Sequence, residues 1–277
     1  MNPAAAIAVD KMRRTTLRFV TNQHRVPPLA AAGCVLVLLL AVSCGGRPNG
    51  DMLAQAETAL DEGNFKRASE LAQRAAKSEN HRTDGLVLGG IAQALAGKDQ
   101  EAADTLRQAW QGAPDHFYAA YFFGWSLARM QQYGEALEPL EQAVQLRPDH
   151  TQARILLGRC CLEQNLPAGV EHLQELDRRN ALANADERAV LHNDVAYLLV
   201  MADQHRQARQ EFDQAADLDP DNPRILQNKA ILLDRYLDDP RTARRFYIRA
   251  LAAYQKRNED GPQDAIRQRL RQLSSTR

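Results

Sequence analysis

The 277-residue chain is 44% apolar but only 6% aromatic, and with 15 Gly and 12 Pro it is rich in alanine; this suits packed helices better than a β-sandwich and can fill the core of one large or two ordinary domains. Formal charge is zero. Five basic residues against Asp10 alone fall in the first 43 positions, so the remainder carries 30 basic and 34 acidic groups, and a mildly acidic body excludes general nucleic-acid binding.

Those five basic residues are Lys11, Arg13, Arg14, Arg18 and Arg25, and the apolar run Leu29–Val42 follows them, ending in Ser43, Cys44, Gly45 and Gly46. A charged stretch, an apolar stretch and small residues in that order form an export signal. As a helix the run reaches about 21 Å against roughly 30 Å of hydrocarbon. Counting every uncharged residue between Arg25 and Arg47 gives 21, so a signal anchor is the alternative reading. Leu40-Ala41-Val42-Ser43-Cys44 resembles the lipobox of bacterial lipoproteins, with Ala41 where that family more often has Leu. The resemblance implies cleavage and lipidation at Cys44, a signal peptide over 1–43 and a linker over 44–51. Gly45 after the cysteine, in place of Asp, resembles the outer-membrane class, so the expected location is the bacterial envelope, periplasm-facing and lipid-anchored. Met12-Arg13-Arg14 is an alternative beginning. Of the four cysteines, Cys34 lies in the apolar run, while Cys160 and Cys161 are adjacent, too constrained for an ordinary disulfide and wrongly spaced for metal. Both read as helix residues.

From residue 52 to 257 the pattern is helix, turn, helix, with near-copies of Phe117–His150 recurring every 34 residues, among them Thr83–His116 and Ala189–Asn222. Small residues stand at the eighth position of each unit, where two backbones must approach: Ala56, Gly90, Gly124, Gly158, Ala196 and Ala230. Twelve residues on come Ala68, Ala102, Ala136 and Ala208, and seven further Ala75, Ala109, Ala143 and Ala215, a two-turn spacing that keeps each pair on one helical face. Pro114, Pro148 and Pro220 stop the second helices. Pro114-Asp115-His116 and Pro148-Asp149-His150 repeat as tripeptides, and Asp219-Pro220-Asp221 falls at the equivalent place.

Small at eight, Ala at 20 and 27 and Pro at 32 of 34 resembles the tetratricopeptide repeat over about 49–257. The resemblance implies an all-α, right-handed α-α superhelix of six helix-turn-helix units, three regular and three degenerate. In the fourth unit Asn165-Leu166-Pro167-Ala168-Gly169 replaces the usual turn, 181–188 is extra helix or linker, and the sixth has one added residue near Asp238-Asp239-Pro240. Over 258–277 a capping helix from Gln263 to about Leu273 carries Ile266, Leu270 and Leu273 at i, i+4 and i+7, able to cover the open end of the array.

The seven histidines accompany no HExxH or paired cysteine, and no phosphate loop or nucleophile elbow is present. No catalytic site, metal, cofactor or small-molecule substrate is expected. Arg241, Arg244, Arg245 and Arg249, with Arg267, Arg269 and Arg271, form a basic run suited to an acidic partner, to lipid headgroups or to a solvated face.

Tyr118, Tyr121 and Trp125 are surplus to the repeat's needs. Spaced by three and four, they form one stripe on a first helix. In the tetratricopeptide resemblance their positions line the concave face, as do Arg159, Asn193, Tyr197, Gln227 and Ile231 further on, with Arg129 nearby. The implied groove would take an extended peptide or a helix from a protein partner. Asn193 and Asn228 resemble half of a carboxylate clamp whose lysines are missing. The chain thus reads as a non-catalytic scaffold for assembly of a pilus, secretion or outer-membrane complex; the alternative is a signal-anchored helper subunit of an enzyme complex for cell-wall or haem maturation.

Overall fold

The structure, a computed structural model, describes residues 48–275 apart from Ala183 and Asp260. The expected signal peptide, Cys44 and most of the linker lie outside these residues. Thirteen α-helices and no strand occur among them: α1 (Pro48–Asp61), α2 (Phe65–Ala75), α3 (Arg82–Leu95), α4 (Asp99–Gly112), α5 (Phe117–Arg129), α6 (Tyr133–Leu146), α7 (Thr151–Glu163), α8 (Gly169–Arg178), α9 (Ala185–Met201), α10 (His205–Leu218), α11 (Pro223–Arg235), α12 (Pro240–Arg257) and α13 (Gln263–Ser275). The chain divides inside α7, between Cys160 and Cys161, into two compact units. Within the described residues, no helix is long and apolar enough to cross a membrane.

The 34-residue period is written into the backbone. The second residue after each first helix, the third after α11, is left-handed: Gly63 and Gly97 at φ 72° and 79°, then Gln131, Asn165, Asp203 and Asp238 at φ 61°, 54°, 58° and 49°. At five of these the chain closes the helix with a paired return, as where Gly97 N–H donates to Ala94 O and Lys98 N–H to Gln93 O, at 3.1 and 2.9 Å. That pair of hydrogen bonds satisfies the last carbonyls of a helix and turns the chain sharply into the next one. Asn165 does the same with Leu162 and Cys161 acceptors, so the fourth unit keeps the ordinary turn, and Pro167 only delays the start of α8. The added residue of the sixth unit appears as a wider return, Asp239 N–H to Leu233 O at 2.9 Å.

Second helices end as the prolines dictate. Ala113, Arg147 and Asp219, each just before Pro, have left the helical conformation at φ −146°, −135° and −133°, because the proline ring disfavours it there. The next first helix is then capped two residues beyond the proline: His116 Nδ1 accepts from Ala119 N–H at 3.2 Å, His150 Nδ1 from Ala153 N–H at 3.1 Å, and Asn222 Oδ1 from Ile225 N–H at 3.3 Å. Residues 185–188 extend the N-terminus of α9, capped by Asn184.

In the unit of residues 48–160 the small residues sit where expected. A Cβ on Gly90 would come within 2.5 Å of Leu106 Cγ, and one on Gly124 within 2.5 Å of Leu140 Cγ. Ala102 and Ala136 are fully buried on the partner helices, while Pro114 and Pro148 are exposed at the turns. Gly158 is also buried. In the unit of residues 161–275, Ala196 and Ala208 are fully buried and Pro220 is exposed. There Ile266, fully buried, with Leu270 and Leu273 beside it, packs α13 onto the Tyr247–Tyr254 core of α11 and α12. Cys160 and Cys161 are buried in the helix, as expected.

Candidate functional site

Helix α5 is buried over eleven of its thirteen residues; Tyr118 and Arg129 are the two that reach solvent. A helix that is apolar on every side must be enclosed by its neighbours, and here the enclosing groups are aromatic and cationic. Phe117 and Tyr121 stack in parallel at 5.8 Å, the His150 ring lies 4.7 Å from Phe117 and 5.1 Å from Tyr121, and Phe122 meets Tyr121 edge-on at 5.0 Å. Burial pushes the Tyr121 phenol up to about 12. Arg147, from the end of α6, lies over Phe117 at 4.5 Å and over Tyr118 at 4.7 Å, and donates to the Tyr118 hydroxyl at 3.1 Å. At the other end of the stripe Arg129 lies 4.9 Å over Trp125 and is held by Asp99 at 2.8 Å.

This geometry corrects the expected role of two residues. Tyr121 and Trp125 are 8% and 4% exposed, so their rings form the floor of the α5 face instead of standing free for a partner. The cause is packing: His150, from the start of the next first helix, covers Tyr121, and Arg129, one turn on from Trp125 and anchored by Asp99, covers Trp125. What remains reachable is Tyr118 with Arg147 at one end, Arg129 at the other, and half-buried Arg159 on α7. Sequence reasoning missed Arg147 and His150, although the repeated Pro-Asp-His tripeptide marks the second as a recurring position. His150 has its pKa lowered, first by desolvation and then by Arg147, which keeps the ring neutral and its Nδ1 free to accept the cap bond.

The predicted residues beyond α7 belong to the other unit. Asn193 and Gln227 are 3% and 0% exposed, and their amides are used internally: Asn228 donates to Asn193 Oδ1 at 2.9 Å, and the Tyr254 hydroxyl to Gln227 Oε1 at 3.0 Å. Buried amides need such partners, so Asn193 and Asn228 lock α9 to α11 instead of forming the clamp, and Ile231 is fully buried beside them. Tyr197 is half-buried and donates its hydroxyl to Asn165 at the α7–α8 turn; burial first, then Glu163, pushes it up to about 12. Among the described residues no three His, Cys, Asp or Glu side chains are placed to hold a metal.

Residues 110–176 match the family model of anaphase-promoting complex, cyclosome, subunit 3. No curated protein matches the sequence significantly. Solved structures similar to the chain include YrrB, described as a tetratricopeptide protein with an unusual peptide-binding site, at TM-score 0.55 and 18% identity over 64% of this chain and 90% of that one. MamA aligns at TM-score 0.54 and 15% identity over 64% and 93%, and a tetratricopeptide repeat protein from Parabacteroides merdae at 0.51 and 14% over 82% and 98%. With its recurring left-handed turns, small-residue contacts and proline stops, the described chain has the all-α repeat fold of tetratricopeptide proteins.

Proposed function

We propose that the chain is a non-catalytic scaffold that holds a protein or peptide partner on the α5 face, anchored to the bacterial envelope through an acylated Cys44 and facing the periplasm. The observation that carries the reading is the enclosure of α5 with Tyr118 and Arg129 as its two accessible residues. A buried aromatic floor flanked by arginines is the composition of an interaction hot spot. The fold is shared with YrrB, a protein described by its peptide-binding site, which supports a peptide or an extended segment as the ligand. The order of charged, apolar and small residues ending at Cys44 supports the anchor, and assembly of a pilus, secretion or outer-membrane complex is the role such an anchored scaffold would fill.

The test is a pull-down from envelope extracts with wild type beside Tyr118→Ala plus Arg129→Ala, which spares the buried rings. Partner recovery is expected to fall by roughly tenfold or more, the loss of about 1.4 kcal/mol or greater that a hot-spot pair implies. Full recovery by a variant of unchanged helicity would remove the α5 face from the account. Labelling with a radioactive fatty acid tests the anchor separately, because Cys44→Ala is expected to abolish incorporation.

A further inference from the structure

The charge of the unit spanning residues 161–275 is segregated along the sequence. Residues 161–239 hold sixteen acidic against eight basic side chains, whereas 240–273 hold nine basic against three acidic ones. Helix α12 alone carries six cations and no carboxylate. Three of the six have internal work: Arg249 donates to Pro220 O at 2.9 Å, Lys256 pairs with Asp221 at 2.8 Å and Arg257 with Asp219 at 2.8 Å, together clamping the turn before α11. Arg267 and Arg269 of α13 are likewise paired, with Asp264 and Asp234.

Arg241, Arg244 and Arg245 differ. All three are exposed, and among the described residues none forms an ion pair; Arg241 acts only at longer range on the helix-capping Asp239. One turn beyond them stands Ile248, a large apolar side chain left 45% exposed. Arg241, Arg245, Ile248 and Ala252 follow at spacings of four, three and four, so they share one outward flank, with Arg244 one turn before Ile248.

We propose that this flank of α12 docks on an anionic phospholipid surface, Arg241, Arg244 and Arg245 meeting headgroup phosphates while Ile248 enters the interface. Planar guanidinium groups suit phosphate oxygens, and cations around an aliphatic tip on one helix side form the pattern of an interfacial helix. An acidic protein is the rival occupant. The lone exposed isoleucine of this flank offers such a partner no cluster of packed anchors, whereas a lipid surface needs only charge and a side chain to immerse. The inference rests on the proposed anchor only for bringing α12 near a bilayer.

The test uses the full chain carrying Ile248→Trp, reconstituted with vesicles of phosphatidylcholine alone or with added phosphatidylglycerol. Subtracting the wild-type spectrum removes Trp110 and Trp125 and leaves the emission of the introduced indole. A blue-shifted difference emission, quenched by brominated lipid, is expected in the anionic vesicles alone, and should vanish in high salt or on adding Arg241→Gln, Arg244→Gln and Arg245→Gln with helicity unchanged. A chain that floats with both vesicle types but gives identical difference spectra in the two overturns the inference and leaves the anchor standing. Failure to float with either overturns both. A shift caused by poly-glutamate and by neither vesicle would reassign the flank to an acidic protein.

Discussion

A single methylene decides how closely the helices of a unit can pair. Gly90 and Gly124 stand opposite Leu106 and Leu140 with no room for a Cβ, the nearest leucine carbon being 2.5 Å from where it would sit in both cases. Leu140 is fully buried and cannot rotate away without opening a void. Gly124→Ala is therefore expected to destabilise the protein by about 1–3 kcal/mol, despite the better helix propensity of alanine. Leu140→Ala alone should cost about 2–5 kcal/mol, and the double variant less than the two together, because the shortened side chain leaves the space that the added methyl needs and partly fills. Additive losses in denaturant titrations would show the two residues are not in conflict. These positions were legible in the sequence because a close approach permits little besides Gly or Ala. The burial of Tyr121 and Trp125 was not: spacing places them on a stripe that Arg129 continues, but His150 over Tyr121 and Asp99, which holds Arg129 over Trp125, come from other helices and have no signature in the stripe itself.

Turns and caps fix the helix ends, and here the sequence revealed only half of the device. The left-handed position recurs in every unit, yet only Gly63 and Gly97 announce it; Gln131, Asn165, Asp203 and Asp238 adopt the same conformation at some energetic cost. The helix-capping role of His150 was hidden for a similar reason, since histidine is not among the preferred capping residues. It makes one helix start sensitive to pH. The folded ring has its pKa below the ordinary 6.5, while the unfolded ring titrates near that value. Between the two the unfolded chain holds more protons, so the contribution to stability is intact above about 6.5 and declines as pH falls through 6.5 toward the folded pKa. His150→Asn keeps an acceptor for Ala153 N–H and removes the titration. It loses the ring contacts with Phe117 and Tyr121 at every pH, so its melting temperature should be lower but should decline less between pH 7.5 and pH 5 than that of wild type, a range about the ordinary histidine value. Parallel melting curves would exclude His150 as the source.

At the scale of the molecule, an array of repeats draws stability from each neighbouring contact, and its open end must be closed. Helix α13 closes one through apolar packing and a single anchored charge. Asp234 has a side chain only 1% exposed, and Arg269 grips it with two bonds of 2.7 Å while the Tyr247 hydroxyl adds a third at 3.2 Å. Burial first, then Asp234, raises the Tyr247 phenol, so it stays protonated as a donor. The apolar stripe of α13 made a capping helix legible in the sequence, but pairing Arg269 with Asp234, 35 residues away, requires the folded arrangement. Removing the guanidinium leaves a buried carboxylate with one neutral donor, at a cost of about 3 kcal/mol. The array confines that loss. In Arg269→Ala, amides of α12 and α13 are expected to exchange with solvent roughly a hundredfold faster, with those of α8 and α9 in the same unit close to wild type. The paired variant Asp234→Asn plus Arg269→Met should recover part of the protection, because it removes the stranded charge while keeping bulk over the core. Equal acceleration from α8 to α13 would mean that the unit unfolds as one body and that α13 is not a local closure.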